Sequence, residues 1–337
     1  MSGPGTPVAL DARSIERAAR SPCRRMRAVV AGGRSVAAVQ AAWYPELEPT
    51  RISPFARAIG LAFEHWLLAD DAARLRELYG QHMGVELATV LDLRPLLETD
   101  KAAAEEATAK ALAERMAGGG PDLVLGARVG LATPAGVAHL QPDVLVGRLE
   151  RTYVVGELKA YLDIDGWTRS SELTSALRQA AVGALALRRA AGPGAAAGVV
   201  DLVLRAPRRP GATVRSLDAA AEIAGLGRFV DREMAPAPVP SRRELERIPH
   251  TWSAACAGSC PLDDACRREA VARGELAVIG PHATAGLAPV VDLQQAAGLA
   301  AGTIEAPAEG PERAVADALR AGWAASEAAE AGLAGCL

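Results

Sequence analysis

Aromatic side chains are scarce in this chain of 337 residues, at 4%. Lysine is scarcer: of 37 Lys plus Arg, only Lys101, Lys110 and Lys159 are lysines. Wherever a fixed positive charge suffices the sequence uses arginine, so each lysine invites a reason for an ammonium, whose pKa shifts more readily than that of a guanidinium. Excess charge is also missing. A net charge of -3 and a pI near 6.0 give no global field for nucleic acid, so any such contact must rest on local patches. No run approaches the roughly 18 apolar residues of a membrane span, and the opening MSGPGTPVALDARS has no apolar signal-like core, so the expectation is a soluble, cytoplasmic protein without membrane attachment. G-x-x-x-x-G-K-[ST] is absent, which leaves the chain without an ATP motor of its own. What is abundant is Ala, Gly and Arg, at 50% hydrophobic residues overall, enough to bury a substantial core in one large domain or two modest ones. Alanine is so common that its helix propensity carries little information.

The most informative stretch is 139–161, HLQPDVLVGRLERTYVVGELKAY. It reads as two short Val- and Leu-rich strands joined by a tight polar turn, with Pro142-Asp143 opening the first and Glu157-Leu158-Lys159 closing the second. Alternate side chains of a strand point to opposite faces, so Glu157 and Lys159 share one. Two carboxylates converging from adjacent strands, with the Leu158 carbonyl nearby, form a hard oxygen site suited to Mg²⁺ or Mn²⁺. A lysine beside it can orient or deprotonate an attacking water, the set that metal-assisted phosphodiester hydrolysis uses. The plain alternative is a hairpin with surface charges.

Around this hairpin the chain predicts helices first. Residues 11–30 read as a helix interrupted at Ser21-Pro22, with Cys23 after the break. Residues 55–79 form a long helical pattern in which Gly60 and Glu64, four apart, share a face that His65 does not. Residues 82–120 read as helical up to the Gly118-Gly119-Gly120 run. From Asp122 the texture turns to strands, and 122–133 followed by the two motif strands suggests an antiparallel meander. A helix over 170–190 carries Gln179; strands at 198–207 and 212–218 follow; 217–249 is helical with a Pro-rich break at 236–240. In the tail, 280–302 resembles a helix-hairpin-helix segment, and 311–333 reads as an Ala- and Glu-rich helix that lies on the core or engages a partner. Helices, three strands, helix and strand predict an α/β domain with a mixed central sheet flanked by helices.

Five cysteines complete the inventory: Cys23, Cys256, Cys260, Cys266 and Cys336. Three of them form a C-x3-C-x5-C run, which in a chain without an export signal reads as metal ligands before disulfides. Three thiolates are one short of closing a tetrahedral or cubane site. Cys336 reads as a free thiol.

Taken in order, Cys23, Glu64, Asp143, Glu157-x-Lys159, Gln179 and the three clustered cysteines resemble the PD-(D/E)xK nuclease superfamily, specifically its iron-sulfur members among the RecB-like, AddB-like and CRISPR-associated exonucleases. The resemblance spans roughly residues 11–270 and implies a restriction-endonuclease-like core. It implies Glu64, Asp143, Glu157 and the Leu158 carbonyl as ligands of Mg²⁺ or Mn²⁺, Lys159 as the residue that positions water, and Gln179 as a DNA contact. It also places Cys23 with Cys256, Cys260 and Cys266 around a 4Fe-4S cluster joining the N- and C-terminal helical segments. Four cysteines equally suit zinc. Two departures stand out: the family's cysteine spacing is usually one residue shorter, and Gly183 occupies the tyrosine position of its Gln-x-x-x-Tyr motif. The implied organisation is a helical segment over 1–120, a nuclease core over 121–235, a cysteine segment over 236–275 and a helical tail over 276–337. The implied activity is cleavage of single-stranded or end-bearing DNA, leaving a 5′ phosphate, in recombination, repair or antiphage defence, with a helicase or defence-complex subunit as a possible partner. The rival reading keeps the fold as a catalytically inactive DNA-binding or scaffold subunit.

Overall fold

The computed structural model describes the chain except for residues 1–6, 9, 48–53, 149–150, 208–210, 235–239, 253–255, 257–259, 277–280, 288 and 335–337. Most of the Pro-rich break at 236–240 and Cys336 therefore lie outside the described residues. The chain divides into two compact units, one of residues 1–39 and 51–248, the other of 40–50 and 249–337.

In chain order the first unit contains β1 (Pro7–Val8), α1 (Ala12–Arg20), α2 (Arg24–Ala31), the start of α3 (Val36–Trp43), α4 (Pro54–Met83), β2 (Val90–Asp92), α5 (Arg94–Thr99) and α6 (Lys101–Met116). Then come β3 (Leu123–Leu125), β4 (Val129–Thr133), β5 (Gly136–Leu140), β6 (Val144–Arg148), β7 (Thr152–Leu162), α7 (Ser170–Ala191), β8 (Ala196–Arg205), β9 (Ala212–Asp218), α8 (Ala220–Arg232) and α9 (Arg242–Arg247). The fold is α/β: a six-stranded mixed sheet in the order β2-β3-β6-β7-β8-β9, flanked by helices, with a separate three-stranded sheet β1-β5-β4. In the large sheet β2 runs parallel to β3 and β7 to β8, and the other neighbours are antiparallel.

Three expectations are corrected here. The stretch 82–120 is not wholly helical, because Val90–Asp92 pairs with β3, so the first 120 residues contribute strands as well as helices. Residues 122–133 are two strands rather than one: Gly126, with φ of 65°, turns the chain between β3 and β4, which enter different sheets, and no simple meander results. The helix through 55–79 is interrupted at 69–72, where Asp70, Asp71 and Ala72 all have positive φ.

α4 covers one face of the large sheet. Its Phe63, Leu67, Leu75 and Tyr79 pack on Leu123, Leu125, Val144, Val146, Val154, Leu158 and Val203. α7 covers the other face, where Ala176 meets Leu202 and Leu204. From Gln179 to Leu187 nearly every α7 residue is buried, because α1 and α8 pack on its outer side. α1 begins where the Asp11 carboxylate caps the Ser14 N–H at 2.6 Å and ends at Ser21-Pro22. α2 is tied to the end of the unit by buried Arg25, which donates to the Ile248 and Glu246 carbonyls at 3.2 Å.

The second unit contains α10 (Asp263–Ala272), α11 (Pro281–Gly286), α12 (Leu293–Ala301) and α13 (Pro311–Ala334). Its core joins Leu287, Val290, Ala296, Leu299 and Ala316. Among the described residues no helix is long and apolar enough to cross a membrane.

Candidate functional site

The register of the β6–β7 hairpin positions the acidic pair. Val144 lies opposite Gly156, so Asp143, one residue before the paired strand, falls opposite Glu157 on the face away from α4. Opposite residues of antiparallel strands point the same way. The Leu158 N–H donates to Asp143 Oδ2 at 2.8 Å, fixing that carboxylate at the strand edge. Lys159 Nζ donates to Glu157 Oε1, as their shared face predicts. Gly156 is required by packing: a Cβ there would come within 2.6 Å of Tyr79 Oη and 2.5 Å of a Val144 methyl.

The electrostatics of this cluster are unfavourable to both carboxylates. Glu157 is only 8% exposed. Burial, followed by the neighbouring Asp143 charge, pushes its pKa up to about 7 against the opposing pull of Lys159 and Arg13. Burial also raises Asp143, with Lys159 and the Leu158 N–H acting the other way. Glu64 sits on α4 and is exposed as a residue, yet partial desolvation and then Asp143 raise its carboxyl, while Lys159 and Arg94 lower it. Lys159 responds oppositely: burial would lower its pKa, but Glu157 and Asp143 outweigh burial and raise it. The amine therefore holds its proton, which favours orienting a water or a phosphate oxygen over deprotonating one.

The sequence-predicted Glu64, Asp143, Glu157 and Lys159 thus interact within one electrostatic neighbourhood. Gln179 is buried on α7, where its Nε2 donates to Ser175 Oγ at 3.2 Å, and Ser175 donates to Glu16 Oε1 at 3.1 Å. Gly183 has a packing reason: a Cβ would lie 3.3 Å from Pro142 and Val155, leaving no room for a tyrosine without displacing the strand that carries Asp143. Sequence reading missed three participants. Arg13 and the 5%-exposed Glu16 project from α1, and Arg94, bonded through two nitrogens to Asp92, reaches the field of Glu64. Nothing local in the sequence marks any of the three, because burial and packing, not spacing, bring them to the site.

The cysteines are divided between the units. Cys23 caps the N-terminus of α2 in the first. In the second, the Cys260 N–H donates to the Cys256 carbonyl at 2.8 Å, and Cys260 and Cys266 are buried at the start of α10. Trp252 braces this turn through Nε1 to Asp263 Oδ1 at 2.6 Å. Among the described residues no three His, Cys, Asp or Glu side chains are arranged as a ready metal site, at the carboxylates or at the cysteines. A cleft of about 890 Å³ lined by His82, Glu86, Arg115, Asp122 and Arg151 contains none of the predicted site residues.

Comparison with family models, with curated proteins and with solved structures finds no match to this chain.

Proposed function

We propose that the chain is a divalent-metal-dependent nuclease of the PD-(D/E)xK type, hydrolysing phosphodiester bonds of single-stranded or end-bearing DNA. The observation that carries this reading is the Asp143–Glu157 pair: two carboxylates on one face of the sheet, both raised in pKa by burial and Glu157 further by the Asp143 charge, with a charged lysine bonded to Glu157. Such a pair is what a divalent cation relieves, and its hard oxygens fit Mg²⁺ or Mn²⁺. Asp143 and Glu157, helped by Glu64 and the Leu158 carbonyl, would hold the ion, which when bound polarises phosphate and lowers the pKa of water. Lys159, holding its proton, orients the attacking water or a phosphate oxygen from the same face. Gln179, buried and bonded to Ser175, would contact substrate. In-line attack leaves a 5′ phosphate.

The restriction-endonuclease-like core and a 4Fe-4S cluster on Cys23, Cys256, Cys260 and Cys266 belong to the same proposal. The cluster rests on donor chemistry, three thiols within eleven residues, and its role would be structural. Protein purified without oxygen should be brown and contain iron; a colourless protein with stoichiometric zinc would assign the cysteines to zinc. A non-catalytic DNA-binding subunit is the rival reading, and it gains from Gly183 in the motif's tyrosine position, Glu rather than His at 64 and the net charge of -3. The deciding experiment is degradation of labelled single-stranded DNA with Mn²⁺ by wild type and Lys159→Ala. Activity lost in the variant supports the nuclease; activity persisting undiminished assigns it elsewhere, and no activity in either supports the rival.

A further inference from the structure

The connection between the strand that carries Lys159 and the helix that carries Gln179 is a small hairpin with an exposed tryptophan at its tip. Ile164 and Trp167 exchange backbone hydrogen bonds at 2.9 and 2.8 Å, and the two residues between them, Asp165 and Gly166, both have positive φ, at 52° and 80°. Positive φ at both central residues is the Asp-Gly geometry of a two-residue hairpin turn. Asp163, 5% exposed, anchors the base: it accepts from Thr213 Oγ1 at 2.9 Å and Thr168 Oγ1 at 3.2 Å, and its N–H donates to the Arg205 carbonyl at 2.9 Å. Arg215 Nη1 clamps the tip by donating to the Gly166 carbonyl at 2.9 Å.

Such anchoring leaves little conformational freedom, yet Trp167 remains 65% exposed. Of the five tryptophans it is the most exposed; Trp43 and Trp66 are half-buried, Trp252 is buried, and Trp323 is 48% exposed. In a chain with so few aromatics, a large ring held out on a braced turn requires an account. Burying it against the core would have been the cheaper use of a tryptophan. Two arginines flank it: Arg169 follows it at the start of α7, and Arg215, which also pairs with Asp163 at 3.6 Å, clamps the turn. Trp167 follows Lys159 by eight residues, on the turn that leads out of β7.

We propose that Trp167 is a base-stacking platform for single-stranded nucleic acid, with Arg169 and Arg215 meeting the phosphates, so that the strand entering the Lys159 site is gripped through an unpaired base. A stacked base offers an aromatic face of any sequence, and cationic side chains beside an aromatic are the common construction of single-strand grooves. A duplex, whose bases are already stacked on each other, cannot use the platform, so the inference makes single strands or frayed ends the substrate. It rests on the nuclease reading for the direction of the strand, but its binding step does not need cleavage.

The test uses the full chain in EDTA, where no cleavage occurs, and compares two labelled oligonucleotides of equal length, one oligothymidylate and one of abasic deoxyribose phosphates. Wild type should prefer the oligothymidylate. Trp167→Ala should weaken that binding by about 5- to 100-fold, down to the abasic level, while abasic binding stays unchanged; Trp167→Phe should keep most of the preference. Equal binding of both oligonucleotides by wild type, no binding of either, or a Trp167→Ala protein that binds as wild type would overturn the platform. So would equal loss on both oligonucleotides, or a Trp167-dependent affinity for anionic lipid vesicles in place of DNA. Mn²⁺-dependent cleavage by wild type and Lys159→Ala, run in parallel, separates the two ideas. Lys159-dependent cleavage with Trp167-independent binding sinks the platform alone, whereas Trp167-dependent base preference without any cleavage sinks the nuclease alone.

Discussion

The two faces of the large sheet treat buried carboxylates in opposite ways, and adjacent rows of one strand show both. The row through Gly156 runs across β7, β8 and β9 as Gly156, Asp201 and Ser216, on the α4 side. There Asp201, fully buried, accepts the Ser216 hydroxyl at 2.6 Å, and Ser216 in turn lies 2.9 Å from His82 Nε2. One residue along, on the α7 side, Glu157 faces Asp143 rather than a hydroxyl, and burial, with the Asp143 charge adding to it, raises its pKa to about 7. Buried acids normally find donors, as Asp201 Oδ1 does in the Ser216 hydroxyl. Where two are instead set against each other, the cost falls on the fold and the benefit is sought in chemistry, because perturbed pKa values gather at functional sites.

That contrast can be broken by substitution. On the α7 side, Glu157→Gln or Lys159→Ala should reduce Mn²⁺-dependent DNA cleavage by about 10²–10⁴-fold, measured as initial rates on a labelled single strand. Glu157→Gln should stay folded, since it removes one of two crowded carboxylates; Lys159→Ala leaves both without their cation, so its folding is checked by circular dichroism before rates are compared. On the α4 side the pattern should invert: Asp201→Ala should cost about 1–3 kcal/mol in denaturant unfolding through the lost buried hydrogen bond while cleavage at permissive temperature continues. Equal loss of activity from both faces would erase the distinction.

A smaller effect concerns pH. Glu157, Asp143 and Glu64 all have raised pKa values, so the folded state favours their protonated forms. The stability they contribute is present below the ordinary carboxylate range, near 4.5 for glutamate, and is lost as pH rises through about 7 for Glu157. Lys159, raised from 10.5, loses its contribution only at alkaline pH, outside this window. Metal-free protein should therefore melt at a lower temperature at pH 8 than at pH 6, and Glu157→Gln should flatten that slope. A metal-free melting temperature rising over the same interval would contradict the electrostatic account.

The hairpin carrying Asp143, Glu157 and Lys159 was legible because charges interrupt runs of Val and Leu, and strand alternation alone puts Glu157 and Lys159 together. The long α7 and β8 were legible because each is long, strongly patterned and followed by Gly or Pro, whereas β9 showed only a weaker strand pattern. β2 escaped because three residues cannot display a period, and it exists through pairing with β3. The division of 122–133 turned on Gly126, whose positive φ has no local requirement beyond the close approach of Arg94. The break in α4 falls on Asp70-Asp71-Ala72, residues with no glycine or proline to announce it. Within the site, Glu16, Arg13 and Arg94 come from elements distant in sequence, and only tertiary packing brings them near the hairpin.

The central claim is that Asp143 and Glu157 form one cation-binding pocket. Calorimetric titration of the full chain with Mn²⁺ near pH 6.5, in two buffers of different ionisation heat, measures affinity and protons released together. Wild type should bind Mn²⁺ with release of protons from carboxylates that are part-protonated when metal-free, more tightly as pH rises, and Glu157→Gln should lose both binding and release. Mn²⁺ binding of equal affinity and equal proton count in the two proteins would contradict the claim.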